Sequence, residues 1–556
     1  MTLTSCVNGI APSKNKITKK YSVEAFDNIA SQGTVNIVFK QSNATTVEAY
    51  GPDNIISSLI VTSEDSTLHI SMKKGVKFRS LKNNNVTITI TAPKLSSISQ
   101  QGTGNITLKD SVKVDDIKKK EFRRIYGKGW RHTVGKWKKY MAHIGTYPAA
   151  LGKWLAVGGF IGGIGGVIGS LFHIGVNYAT QTRGQHPWIL YLLPALGLII
   201  AGLYRVTKVE GKDTNAVIES VHFGKNVPVL LVPVIFIATV LTHLGGGSAG
   251  REGAALQIGG GIGHTTGRLL RLGEKDLPLA TLCGMSAVFS ALFGTPLTAT
   301  IFAMEVISVG VFYYAGLLPC LTAALMGYLV SLLMGVPPTR FTVANPGLDA
   351  WTMVLVILLA IGCAVASILF CRGLQETGRL AAKLLPSPFV RAFVGGVLVI
   401  GLTLLVGNGD YNGAGMEVVE RAMSGQVRSW AWLLKLLFTA VTIGFGFKGG
   451  EVVPSFFVGA CFGCVLGGFL GLPAGFGAAI GLVAVFCGAV NCPIASVFLS
   501  IELFGTGDLL YFTMACAISY LLSGYCGLYS SQTILYSKMR AEFINIHTNE
   551  NEEKHG

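Results

Sequence analysis

The chain has 556 residues, half of them apolar, only 13% charged, and 71 of them glycine. That balance excludes an ordinary soluble enzyme and describes a polytopic membrane protein. The formal net charge of +16 does not call for nucleic acid, because the cations cluster beside apolar segments, where the positive-inside rule accounts for them. Of 11 cysteines, all but Cys6 lie in or beside apolar runs. Cys461 and Cys464 form a C-x-x-C with no second pair, so they read as small packing residues rather than a metal or redox motif. The pattern calls for no cofactor and no metal.

Residues 1–115 are polar, with alternating runs such as Val35-Asn36-Ile37-Val38-Phe39 and Val86-Thr87-Ile88-Thr89-Ile90. Gly, Asn, Asp and Ser separate these runs, which predicts short β-strands in succession. The stretch from Phe26 to Asp110, with FDNIASQGTVNIVF and APKLSSISQQGTGNITL, resembles the head-GIN adhesin domains, which implies an all-β, solenoid-like domain of exported type. Leu3-Thr4-Ser5-Cys6 is similar to a lipobox, yet only five residues precede Cys6 and no apolar h-region is among them. A functional sensor domain and a truncated fusion both remain open. No site residue falls here.

Residues 116–140 form a basic linker. Ten Lys or Arg lie between Lys118 and Lys139, with Trp130 and Trp137 among them. The expected element is an amphipathic helix on the inner membrane face. The membrane domain is expected over 141–545, in halves of about 141–336 and 350–545, followed by a polar tail, 546–556. Two spans come first, about 152–180 and 187–206, joined by the loop QTRGQH. The first carries GGFIGGIGGVIG, which suits close helix packing. Arg205, Lys208 and Lys212 follow the second span and return the chain to the cytosolic side. Several later apolar runs are too short to cross a bilayer, since about 20 residues are needed, and read as half-spanning helices. Polar loops are expected near 337–350 and 408–428, with Thr339–Asp349 dividing the halves. A last helix carrying Lys538 and Arg540 is expected after Tyr529.

The unusual stretches are two. Gly245–Gly261 reads GGGSAGREGAALQIGGG, and Lys448–Gly459 reads KGGEVVPSFFVG. Charge inside a bilayer is costly and marks an ion or proton pathway. Glycines let the backbone break there, provided protein or water covers it. A helix starting just after Glu252 would aim its N–H groups at a small anion. The pattern recurs beyond each break. Pro296 is followed nine residues later by Glu305, and Pro493 nine residues later by Glu502. Matching interrupted helices in two halves point to an inverted-repeat transporter with its site where the halves meet.

These motifs resemble those of the CLC chloride channels and proton-coupled antiporters. GREGA at Gly250–Ala254 is similar to that family's GREGP motif, GGEVVP at Gly449–Pro454 to its second-half GxFxP motif, GLYSSQ at Gly527–Gln532 to its tyrosine segment, and GKNVP at Gly224–Pro228 to its GSGIP motif. GGSAGREG together with GGEV is more like the fluoride/proton antiporter branch. The resemblance implies an α-helical polytopic fold with broken helices, and helix starts after Gly253, after Val452 and near Pro228 that converge near mid-membrane. It implies a homodimer with a pore in each subunit and an interface near 281–330 and 483–520. It also implies a multi-pass cell-membrane location, as in a bacterial inner membrane, and makes the partners a small anion, a proton and the bilayer.

By the same resemblance, Glu252 gates the anion path and carries the proton. A carboxylate mimics an anion when ionised and vacates the path when protonated. Tyr529 coordinates the anion through its O–H. Glu451 passes or holds a proton, or caps a helix start. Gly250, Arg251, Gly253, Val452 and Val453 surround the anion, with Val453 where the fluoride branch has threonine. Lys225 and Asn226 stand at the inner mouth, Lys225 either attracting anions or reaching to water. Val306 occupies the place of the internal proton glutamate of chloride/proton antiporters. Glu305 and Glu502 read as structural. Two readings follow: an antiporter exporting fluoride against protons, or a passive chloride or fluoride channel or chloride/proton antiporter on the same fold. An adhesin with a membrane anchor would need one span, not many.

Overall fold

The computed structural model describes residues 13, 15–32, 35–73, 86–101, 106–109, 131–344, 346–540 and 542–549. Cys6, the 116–130 part of the basic linker and residues 550–556 of the tail lie outside the described residues. The chain divides into two compact units, Met1–Ile144 and Gly145–Gly556.

The first unit is β-structure: β1 (Lys16–Tyr21), β2 (Asn28–Gln32), β3 (Val35–Gln41), β4 (Thr46–Pro52), a turn of helix α1 (Asp53–Ile56), β5 (Leu59–Glu64), β6 (Thr67–Met72), β7 (Val86–Ala92), β8 (Ser97–Gln101) and β9 (Ile106–Lys109). They form two sheets, ordered β1-β4-β7-β3-β9 and β5-β6-β2-β8. The segment β7-β3-β9 of one sheet repeats the order β6-β2-β8 of the other, and these neighbours pair in parallel. The chain thus steps between sheets and stacks rung on rung, as a solenoid does. Alternation fills the interior: Val35, Ile37 and Phe39 meet Val86, Ile88 and Ile90 in register, and all six are buried with Ile29, Leu68 and Ile70.

The second unit is helical. Its helices are α2 (Arg131–Gln185), α3 (Leu193–Val206), α4 (Thr214–Phe223), α5 (Leu231–Leu244), α6 (Glu252–Leu269), α7 (Leu277–Phe293), α8 (Pro296–Glu305) and α9 (Leu317–Leu333) in the first half. The second half has α10 (Ala350–Leu384), α11 (Pro388–Val406), α12 (Met416–Met423), α13 (Ala431–Gly444), α14 (Val452–Leu470), α15 (Ala474–Val490), α16 (Pro493–Phe504) and α17 (Leu509–Leu522). Among the described residues, six helices are long and apolar enough to cross a membrane, and six more apolar helices have 10–17 residues. Glycine brings the paired helices of each half together. A Cβ on Gly259 would strike the Gly284 carbonyl, and one on Gly263 the Ala280 carbonyl. Gly459 and Gly463 meet the Gly481 and Gly477 carbonyls in the same way.

Reciprocal caps tie the halves. Glu502, near the end of α16, accepts the Leu297 and Thr298 N–H groups at the start of α8, at 2.9 and 2.8 Å. Glu305, at the end of α8, accepts those of Ile494 and Ala495 at the start of α16, at 3.1 and 2.7 Å. Each carboxylate satisfies the orphan donors and positive pole of the other half's helix. Both glutamates thus have a structural employment, and Val306 beside Glu305 is buried.

Four local expectations differ. The predicted QTRGQH loop is mostly helix, because α2 runs on to Gln185. The predicted loop near 408–428 contains α12, which buries Val418, Val419, Ala422 and Met423. Among the described residues no helix follows Tyr529. Lys538 and Arg540 lie instead between β11 (Thr533–Tyr536) and β12 (Phe543–His547), an antiparallel pair whose first strand lies parallel to β10 (Ser308–Val309). Ile534 and Ile546 bury there against Val309, and this long-range strand pairing prevails over helix. Lastly, the helix near Pro228 does not converge with the others. Asn226 Oδ1 accepts from Arg268 Nη1 at 3.4 Å, at the far end of α6, about 24 Å along the helix from Glu252 at 1.5 Å per residue.

Candidate functional site

The two glycine breaks meet. Gly250 and Gly450 exchange both backbone hydrogen bonds, each 2.7 Å, as an isolated antiparallel bridge. This pairing satisfies groups that lipid could not, and sets the first turns of α6 and α14 side by side with their N–H groups facing one region. Val452 and Val453, on the first turn of α14, are buried.

Glu252 is fully buried and folds back on its own helix start. Its Oε2 accepts the Arg251 N–H at 2.9 Å, and its Oε1 the Arg251 Nε–H at 3.3 Å. A side chain at Gly250 would collide with this carboxylate, since its Cβ would lie 2.7 Å from Oε2. Arg251 also donates from Nη1 to Asn177 Oδ1 at 3.3 Å, and Asn177 Nδ2 lies 2.7 Å from His173 Nε2. These two residues sit toward the C-terminal end of α2.

Glu451 stands at the start of α14, half-buried. Its Oε2 lies against Gly253, where a Cβ would come within 2.9 Å, and has no hydrogen-bond partner among the described residues. The Tyr529 hydroxyl is likewise buried without a partner, and both Glu451 and Glu252 lie within electrostatic reach of it. An unpaired phenol O–H amid helix starts and two carboxylates can donate to a small anion while protons load or leave the carboxylates.

The third helix start at this place is α4, which the motif comparison did not single out. Asp213 caps it by accepting the Ala216 N–H at 3.3 Å. Thr214, buried, donates from Oγ1 to the Gly253 carbonyl at 3.4 Å and accepts from Gln257 Nε2 at 3.2 Å. Asn215 Oδ1 accepts the Ser531 N–H at 3.0 Å, two residues beyond Tyr529. The first turn of α4 therefore lies between α6 and the tyrosine segment. The signal was present as Gly211-Lys212-Asp213-Thr214 ahead of an apolar run, a helix-start pattern.

Lys225 and Asn226 are exposed and outside this cluster. Lys225 pairs with Glu219 at 2.8 Å, and Glu219 in turn accepts from Ser531 Oγ at 3.2 Å. Lys225 thus stands on the rim, linked to the tyrosine segment through Glu219.

Comparison with known proteins identifies the families of the two units. The voltage gated chloride channel family model matches residues 196–524, and the auto-transporter adhesin head GIN domain matches residues 25–121. A "Chloride/fluoride channel protein" of Pseudomonas syringae pv. tomato is 35% identical over 70% of this chain and 88% of its own. The crystal structure of a CLC-type fluoride/proton antiporter matches with a TM-score of 0.67 and 31% identity, over 69% of this chain and 98% of that one. A slow cyanobacterial Cl−/H+ antiporter shares the fold, with a TM-score of 0.60 and 19% identity over 66% of this chain and 94% of that one. The chain is a multi-pass membrane protein and belongs to the CLC family of anion channels and transporters.

Proposed function

We propose that this protein exports fluoride in exchange for protons. The observation that carries the reading is Glu451 at the second helix start, its carboxylate oxygen unpaired against Gly253 and within electrostatic reach of the free Tyr529 hydroxyl. A second carboxylate there, besides Glu252, gives a proton a stop on the inner side of the anion path. The solved relative at 31% identity is a fluoride/proton antiporter, which supports the assignment. Glu252, folded on Arg251, serves as the outer gate, and Tyr529, Thr214 and the N–H groups of Gly253, Val452 and Val453 hold the anion. Lys225 acts as an attracting charge on the inner rim.

The runner-up is a passive channel. It is favoured by Val306, an apolar residue where chloride/proton antiporters have a glutamate, with neighbouring Glu305 committed to capping. Fluoride and proton fluxes recorded together separate the two. Antiport moves protons in fixed ratio to fluoride, and a channel moves fluoride alone. Chloride efflux as fast as fluoride efflux would remove the fluoride assignment.

The protein is proposed to work as a homodimer in a bacterial inner membrane. Within the expected interface runs, α7 and α15 are buried inside the subunit, while Leu317, Leu325, Leu329, Ile494 and Leu510 present exposed apolar surface. Cross-linking in membranes that traps only monomers would contradict this.

A further inference from the structure

Around the breaks the halves correspond residue for residue at an offset of 200 in number. The Ser248 N–H donates to Thr442 Oγ1 at 2.9 Å, and the Lys448 N–H donates to Thr242 Oγ1 at 3.3 Å. The backbone correspondence is not matched by the side chains. Ser248 Oγ pairs with Thr439 Oγ1 at 3.0 Å. Lysine stands at the equivalent position in the second half, and Thr239 Oγ1, the mate of Thr439, is buried with no partner. A buried hydroxyl left unpaired costs stability, so replacing serine by lysine here is not explained by packing.

Lys448 is half-buried and, among the described residues, makes no ion pair or hydrogen bond through its ammonium. The ammonium lies 4.7 Å from the centre of the Tyr204 ring, an attraction that retains a cation without neutralising it. The charged groups that face it are Asp213 from the start of α4, Glu451 from its own segment and Arg391 from α11. Those facing Glu451 are Asp213 and Lys448, with Tyr529 and Cys371 beside it. Asp213 is exposed, on the side that carries Arg205, Lys208 and Lys212, while Lys448 and Glu451 are half-buried. One carboxylate and one ammonium, Asp213 and Lys448, thus both face Glu451, and Asp213 acts on it at least as strongly as Lys448.

We propose that Lys448 is a positioning residue for proton exchange at Glu451, supplying the inner countercharge that lets this carboxylate release a proton to inner water and take it back. The step moves one proton between a Glu451 carboxyl oxygen and water. Lys448 stays an ammonium throughout, and Asp213 balances it at the rim. Without Lys448 the Asp213 carboxylate is left as the charged group facing Glu451, and proton traffic of Glu451 with the inner side slows. The inference rests on the antiport reading.

The test uses the full chain in liposomes, with fluoride efflux and proton uptake recorded together for wild type, Lys448→Ser, Lys448→Arg and Asp213→Asn. Lys448→Ser recreates the serine–threonine pair of the other half and so retains the fold. It is expected to lower the proton-to-fluoride ratio about tenfold, the scale of one close charge on proton exchange, while fluoride efflux stays within about threefold. Lys448→Arg keeps the wild-type ratio, and Asp213→Asn, which retains the helix cap, shifts it measurably. A Lys448→Ser protein with the wild-type ratio, or with both fluxes reduced in equal proportion, overturns the inference. If that variant does not fold, an unchanged ratio in Asp213→Asn overturns it. Wild-type protein moving fluoride without protons fails the antiport reading itself, a different result from a coupled wild type whose Lys448→Ser variant is equally coupled.

Discussion

Glu252 and Glu451 both stand at the helix starts beside the glycine breaks, Glu252 as the first residue of its helix and Glu451 one place before its own, where the first half has Arg251, and they differ in their partners. Glu252 is held by Arg251 through backbone and side chain. Glu451 has a carboxylate oxygen with no hydrogen-bond partner among the described residues. The first arrangement suits a gate that must release one ligand to admit another, and the second a proton stop. Glu451→Gln is therefore expected to reduce proton flux more than fluoride flux. Equal fluxes to wild type would assign Glu451 to helix capping alone. Tyr529→Phe removes the unpaired phenol donor beside the two carboxylates and should weaken fluoride binding by about 1–2 kcal/mol, roughly tenfold in affinity. Titration calorimetry with fluoride measures this directly, and unchanged affinity would remove Tyr529 from the site.

At the scale of elements, the half-helices are held by caps that cross between the repeats. Glu502→Ala should leave two N–H groups of α8 without their acceptor and cost about 2 kcal/mol, read as a lower Tm in detergent. Little change in Tm would mean that other groups satisfy those donors. Much of this was legible in the sequence. Gly, Glu and Pro at matched spacings located the breaks and the order of helices, because lipid tolerates broken backbone only under strict conditions. What was not legible was register in space. GKNVP looked like a pathway motif, yet Asn226 lies beside Arg268 at the far end of α6, while Asp213 and Thr214 hold the position nearer Glu252. Nothing local distinguishes two helix ends that each carry glycine and asparagine. The strands after Tyr529 were missed because the sheet that seats them is completed by Ser308–Val309, which pairs with Thr533–Tyr536 from more than 200 residues away, while Phe543–His547 pairs only with that neighbouring strand. A parallel pairing of that separation has no sequence-local signal.

Over the whole molecule, the β-unit and the helical unit each have their own core, and the site residues all belong to the second. Removal of residues 1–115 is therefore expected to leave fluoride transport unchanged. A truncated protein that inserts normally but transports nothing would show that the β-unit serves the pathway. The helical unit, by contrast, acts as one piece, since its site is assembled from α4, α6, the start of α14 and the tyrosine segment. The most direct test of the account is simultaneous recording of fluoride efflux and proton uptake in liposomes carrying wild type or Glu252→Gln. Glutamine keeps the size of the gate but carries neither charge nor exchangeable acid proton. The account predicts that wild type moves protons in fixed ratio to fluoride and that proton uptake is absent in Glu252→Gln, whether fluoride runs uncoupled or stalls. A Glu252→Gln protein that still drives protons against a gradient would contradict it.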